Sequence, residues 1–247
     1  MKKLIVANWK MNPQNLLEAK RLFNCVKFWS KRNSKILKNI EVVICPPFVY
    51  LEPLSKLLKS KTKIKLGAQN FFWEEKGAFT GEISPKMLKN LRVDYVIVGH
   101  SERRKILGET NEMINKKIKI AQKLKLKPIL CIGETFRERK EGRTFEVLKN
   151  QIKRAIKNLD NKSLKRLILA YEPIWAIGTK NPCQPEEAKK ILLFLQKFIP
   201  SPILYGGSVN SENAENYIKS GFNGLLVGGA SLNQEEFIGI IKNILRL

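Results

Sequence analysis

Three features of this 247-residue chain predict an α/β fold of the (β/α)8 barrel type. They are eight short apolar runs, their recurrence about every 30 residues, and a polar turn with a helical period after each. In order, the runs are Leu4–Ala7, Glu41–Cys45, Ile64–Ala68, Tyr95–Val98, Pro128–Ile132, Leu167–Tyr171, Pro202–Tyr205 and Gly224–Val227. They are rich in Val, Ile and Leu without polar alternation, which suits strands covered on both faces of a parallel sheet. Between them, apolar spacings of three and four mark helices. Ile114, Ile118, Ala121 and Leu124 mark one over 113–125, started by Thr110-Asn111. Ile191, Leu192, Leu195 and Phe198 mark another over 188–198, with Gln184-Pro185-Glu186-Glu187 before it and Pro200 stopping it. Ser211-Glu212 precedes a third over 214–219. Acidic residues at these starts suit the positive end of the helix dipole.

No linker rich in Ser, Gly or Pro and no shift in composition divides the chain, so residues 1–247 read as one domain. Periodicity alone also admits a doubly wound open sheet. The first run, however, is not followed by the G-x-G-x-x-G that a dinucleotide-binding sheet would want, and eight units in this length suit a closed barrel better.

Composition narrows the function. At 43% hydrophobic and 28% charged residues, the chain can bury a sizeable core. Charged or polar residues interrupt every apolar stretch well before 18 residues, so no membrane-spanning helix is expected. Only Leu4 to Ala7 follow Met1-Lys2-Lys3 before Asn8, too short for a signal peptide, so a cytoplasmic location is expected. The 46 Lys and Arg against 22 Asp and Glu give a net charge of +24. That excess raises the possibility of a non-catalytic nucleic-acid-binding protein, but no RNP1-like aromatic motif accompanies it. The lysines are spread over nearly every segment in company with Asn and Ile, as a bias toward A/T-rich codons would produce. The residual inference is an attraction for small anions. Cys25, Cys45, Cys131 and Cys183 form no CxxC pair and His100 is the sole histidine, so neither a zinc site nor a disulfide scaffold is expected. A Ser-His-Asp hydrolase lacks its G-x-S-x-G elbow.

In a (β/α)8 barrel, chemistry is built at the C-terminal ends of the strands. The first run ends in Asn8-Trp9-Lys10, the fourth in Gly99-His100-Ser101-Glu102, and the sixth in Glu172-Pro173. The seventh and eighth end in Gly206-Gly207-Ser208 and Gly228-Gly229. A lone Glu at a strand end is most often a cap, yet Glu172 follows a fully apolar run, and burial there would make it a usable general base. His100 on its own would more often be a satisfied core histidine. At a helix start the positive dipole end disfavours its protonation and keeps the imidazole neutral. Lys10 could be one more solvated lysine were it not at the barrel rim. Glycine pairs after the last two strands are where backbone N–H groups can form a phosphate nest.

The motifs carry a resemblance as well. Asn8-Trp9-Lys10-Met11-Asn12, Gly67-Ala68-Gln69-Asn70, the stretch from Gly77 to Ser84 and that from Tyr95 to Arg104 resemble those of the triosephosphate isomerase family. So do Cys131-Ile132-Gly133-Glu134, the stretch from Ala170 to Thr179, Tyr205-Gly206-Gly207-Ser208-Val209 and that from Leu226 to Leu232. The resemblance runs from end to end. It implies an aldose–ketose isomerase of glycolysis and gluconeogenesis, acting on triose phosphates as a cytoplasmic homodimer, without cofactor or metal, specific nucleic acid or membrane. It implies Glu172 as the base between C1 and C2, His100 as the neutral electrophile, Lys10 as the compensating cation, and Asn8 in the same pocket. Gly178 then belongs to a closing lid, and Ser208, Gly228 and Gly229 serve the phosphate. Ser101 holds the base at rest, Glu102 supports the site, and Thr80 inserts beside a neighbouring copy's site. The chain departs from the pattern at Lys180-Asn181-Pro182-Cys183 in the lid, at Pro13 and at Asn223. Lys180 stands where relatives carry glycine, which bears on lid closure. One rival within the same fold is a Schiff-base aldolase using Lys10 as its nucleophile.

Overall fold

The computed structural model describes residues 2–58, 63–179 and 181–247. Eight strands pair in parallel in sequence order and close on themselves: β1 (Lys3–Asn8), β2 (Ile40–Cys45), β3 (Ile64–Ala68), β4 (Val93–Val98), β5 (Lys127–Ile132), β6 (Ile168–Tyr171), β7 (Ile203–Tyr205) and β8 (Gly224–Val227). The last pairing, Leu4 with Gly224 through Ala7 with Val227, joins β1 to β8 and removes both sheet edges. Each predicted run coincides with a strand to within two residues at either end.

The connecting helices are α1 (Leu16–Arg32), α2 (Phe48–Leu57), α3 (Pro85–Asn90), α4 (Ser101–Leu107), α5 (Asn111–Lys123) and α6 (Phe136–Lys140). They continue with α7 (Thr144–Ala155), α8 (Asn161–Arg166), α9 (Pro185–Leu195), α10 (Ala214–Lys219) and α11 (Gln234–Leu245). The signal at Thr110 is a true N-cap: its hydroxyl accepts the Met113 N–H at 3.2 Å, and the helix begins two residues earlier than the apolar spacing alone suggests. Likewise α9 starts at Pro185, where a missing N–H costs nothing, and ends at Leu195, short of Phe198.

Period-two alternation sorts the strand residues onto two faces. Outward side chains such as Ile5, Val96, Leu130 and Leu169 join the helices in one core, while inward ones such as Val6, Ile97, Ile129 and Leu204 fill the barrel. Full burial of each such side chain contributes roughly 1.5–3 kcal/mol. The interior is therefore packed solid, and chemistry is confined to the two mouths. Among the described residues, no helix is long and apolar enough to cross a membrane.

Candidate active site

The alternation that fills the barrel also aims the site. Inward Ile168 and Ala170 on β6 are followed two residues on by Glu172, and inward Leu4 and Val6 on β1 by Asn8. On β7 and β8 the same step leads from Leu204 and Leu226 to Gly206 and Gly228. These positions converge on a cavity of about 430 Å³ at the C-terminal mouth, whose wall also includes Lys10, His100, Gly178, Ser208 and Gly229.

Glu172 is 3% exposed, with Oε1 3.3 Å from His100 Nε2 and Oε2 buried without any hydrogen-bond partner. A buried carboxylate oxygen left unpaired is costly and uncommon, and it marks where a donor is missing. His100 caps α4: its Nδ1 accepts the Glu102 N–H at 3.3 Å. Accepting that bond requires a bare Nδ1, so the neutral ring carries its proton on Nε2, on the side of Glu172. Glu102 turns its own carboxylate to Lys10, with Oε1 2.5 Å from Nζ, while its Oε2 stands 3.6 Å from the His100 ring.

Lys10 adopts a left-handed backbone with φ 54°, a conformation that costs a non-glycine residue about 1–2 kcal/mol. Three bonds hold it there. Its N–H donates to Asn8 Oδ1 at 3.1 Å, and Gln69 Nε2 donates both to Lys10 O at 2.8 Å and to Cys45 O at 2.9 Å. Behind His100, the Arg104 guanidinium ties Gly99 O to Cys131 O at 2.7 and 3.1 Å, locking the ends of β4 and β5 together.

The carboxylate is equally confined. Burial, reinforced by the Glu172 charge beside it, pushes the Cys131 thiol well up, so it remains S–H. A Cβ on Gly206 would lie 3.2 Å from Glu172 Cγ, so glycine leaves the side chain its room.

After Glu172 the chain turns through a 3-10 helix, Ile174–Ala176, into the expected lid. Trp175 Nε1 donates to buried Glu134 at 2.8 Å, Tyr171 donates to the same carboxylate at 3.2 Å, and Arg139 covers the Trp175 ring at 4.5 Å. Gly178 follows with φ 71°, and the Ser208 hydroxyl donates to Ala176 O at 2.6 Å. At the far end, Cys183 N–H donates to the Tyr205 hydroxyl at 3.1 Å and Tyr217 donates to Cys183 O at 2.7 Å. Tyr205 and Tyr217 stack at 3.7 Å. Both ends of the lid are thus anchored. Lys180, the departure noted in its middle, lies outside the described residues.

Burial pushes the Glu134 carboxyl up, opposed by its bonds from Trp175 and Tyr171 and by Arg139. Folding therefore takes up a proton between the ordinary value of 4.5 and the raised one, and stability falls as pH rises through that window. Glu134→Gln keeps an acceptor for Trp175 and removes the titration. Denaturant midpoints measured from pH 4.5 to 7.5 should fall less steeply in the variant. Parallel curves would show that Glu134 titrates alike in folded and unfolded chains.

Of the residues singled out in the sequence, Asn8, Lys10, His100, Glu172, Gly178, Ser208, Gly228 and Gly229 line the one cavity, with Glu102 beside them. Ser208 (φ 48°) and Gly229, the first residue of a 3-10 helix, present N–H groups that no protein acceptor takes among the described residues. Ser101 is buried at the start of α4, but no hydrogen bond joins it to Glu172, whose carboxylate is turned toward His100. Thr80 sits apart, exposed in the loop after β3. Gln69, Cys131, Glu134, Tyr205 and Tyr217 carry no role in the sequence reading, although a polar side chain within two residues of the end of an apolar run is a usable signal for Gln69 and Glu134.

Fold and site together define the class: a closed (β/α)8 barrel whose C-terminal mouth sets a carboxylate against an imidazole in a glycine-lined cavity. A family model described as triosephosphate isomerase matches residues 3–244. Curated relatives of that name include proteins from Dictyoglomus turgidum and Alkaliphilus metalliredigens, each 44% identical, and from Aquifex aeolicus, 45% identical. In each case the similarity covers 98% of this chain and 99% of the relative. The chain belongs to the triosephosphate isomerase family.

Proposed function

We propose that this barrel interconverts D-glyceraldehyde 3-phosphate and dihydroxyacetone phosphate by moving a proton between C1 and C2 through an enediolate. The observation that carries the reading is the buried, unpartnered Oε2 of Glu172 on the cavity wall beside His100. Glu172 acts as the base that removes the carbon-bound proton and returns it to the neighbouring carbon. Neutral His100 donates from Nε2 to the oxygen on which negative charge develops, a pairing for which this enzyme family is itself a standard worked case. Lys10 offsets that charge and Asn8 orients the Lys10 turn. Preorganised donors of this kind contribute roughly 3–4 kcal/mol each to the transition state. The free N–H groups of Ser208 and Gly229 suit the phosphate, with Gly228 against the Lys10 stem, where even a Cβ would be 3.5 Å from Cε. The segment through Gly178 closes over the substrate and keeps water from the enediolate, which could otherwise eliminate phosphate.

A homodimer belongs to the same reading. Met11, Val49, Phe79 and Met87 are 85%, 76%, 42% and 55% exposed on the loops and helices that follow β1 to β3, as is Thr80, and large apolar side chains left uncovered there suit a second copy.

The test is a coupled assay interconverting the two triose phosphates. Lys10 holds its ammonium in an ion pair with Glu102, which favours a fixed cation over an amine nucleophile. Borohydride added with dihydroxyacetone phosphate should therefore trap no adduct. A covalent adduct without isomerisation would replace this reading with a Schiff-base aldolase.

A further inference from the structure

At the opposite, N-terminal mouth of the barrel lies a second cavity, of about 520 Å³. Alternation builds its floor: two residues before inward Leu4, Val43, Ile129 and Ile168 come Lys2, Glu41, Lys127 and Arg166. Lys125, in the turn before β5, and Lys165, at the end of α8, complete the rim. Five cationic side chains thus face one carboxylate.

That carboxylate is already engaged. Tyr95 donates its hydroxyl to Glu41, and Lys127 stands 3.7 Å from Glu41 while donating to the Tyr95 hydroxyl at 3.0 Å. Asp94, next to Tyr95, pairs with Lys65 at 3.3 Å. Among the described residues, Lys2, Lys125, Lys165 and Arg166 have no ion-pair partner. Basic residues at helix C-termini are often there to answer the dipole, and α5 and α8 both end at this mouth. Each helix end, however, presents only about half a negative charge. Two such ends and Glu41 offset about two of the five cations, so a surplus remains. Gln122 lines the same cavity and fastens its wall to α8, its Nε2 donating to Ser163 O at 2.7 Å.

We infer that this mouth binds a small polyvalent anion: a diphosphate or phosphate ester with two or more negative charges, gripped by Lys2, Lys125, Lys165 and Arg166. The packed barrel core separates this site from the catalytic mouth.

Equilibrium dialysis with labelled inorganic pyrophosphate at low ionic strength tests it, since screening weakens exposed charges. The wild-type chain should bind at two sites, one at each mouth. Lys165→Ala/Arg166→Ala should weaken one of them at least about tenfold, because both contacts are charge-assisted, and leave triose phosphate turnover unchanged. Lys2→Glu, outside every helix and strand, should produce the same loss without touching α8. Lys149→Ala/Lys153→Ala, which removes equal charge from the exposed face of α7, should keep both sites. The inference is overturned by a single site that vanishes with Lys10→Met, by an undiminished second site in the mouth variants, or by equal weakening in the α7 variant.

Discussion

Glu172→Gln should leave the barrel folded and lower kcat by at least about 10²- to 10⁴-fold, the range expected for a general base. The substitution is nearly isosteric, so an amide oxygen can keep the place of Oε1 at 3.3 Å from His100 Nε2. What disappears is basicity. Because Oε2 is buried and unpaired in the wild type, losing the charge also relieves a desolvation cost. The variant should therefore be at least as resistant to denaturant as the parent while turning over far more slowly. Strain accepted at a working site and recovered when the work is abolished is the pattern expected of functional residues. An inhibitor mimicking the enediolate should bind with a smaller loss than turnover suffers, since Lys10, His100 and the phosphate N–H groups are untouched. Turnover within tenfold of the parent would remove Glu172 from the role of base.

The contrast between what the sequence reveals and what it conceals is physical. Strands show because a parallel sheet buried on both faces needs unbroken Val, Ile and Leu, and those runs sit where β1 to β8 form. Glu172, Asn8 and Gly228 show because each is the first polar or side-chain-free position after such a run. Concealed are contacts between residues far apart in the chain: Gln69 on the backbone of Lys10, and Trp175 on Glu134. The left-handed φ of Lys10 and Ser208 is equally hidden, because neither residue type favours it and only tertiary bonds hold it. The charge pattern misleads for a related reason. Lysines 2, 125, 127 and 165 look scattered along the chain, and it takes barrel closure to gather them at one mouth.

Gly133→Ala should abolish most of the activity without touching a group that contacts substrate. Gly133 follows β5, directly beside the start of the Glu172 peptide, whose N–H donates to Ile132 O at 2.7 Å. A Cβ on residue 133 would fall 1.7 Å from Glu172 O and 2.7 Å from its carbonyl carbon, whereas real Cβ atoms essentially never come within 3.0 Å. One side must retreat by more than an ångström. The β5 side resists, because Gln151 clamps Gly133 with two bonds, accepting its N–H at 3.0 Å and donating to its carbonyl at 3.0 Å. On the other side the Glu172 carbonyl accepts no hydrogen bond among the described residues; its peptide is held by the N–H bond to Ile132 and its carboxylate by His100 at 3.3 Å, with Oε2 unpartnered. The displacement is therefore expected to pass to the base. A misplacement of about 1 Å at a reacting group costs on the order of 10²-fold, so kcat/KM should fall by at least that much. Strain and the loosened backbone bond should cost a further 1–3 kcal/mol of stability, read from denaturant midpoints. Circular dichroism should still report a folded barrel, because the collision is confined to the β5–β6 rim. A variant with kcat/KM within tenfold of the parent would mean that the Glu172 carbonyl can yield while its carboxylate stays in place, and that the tight approach at Gly133 does not position the base.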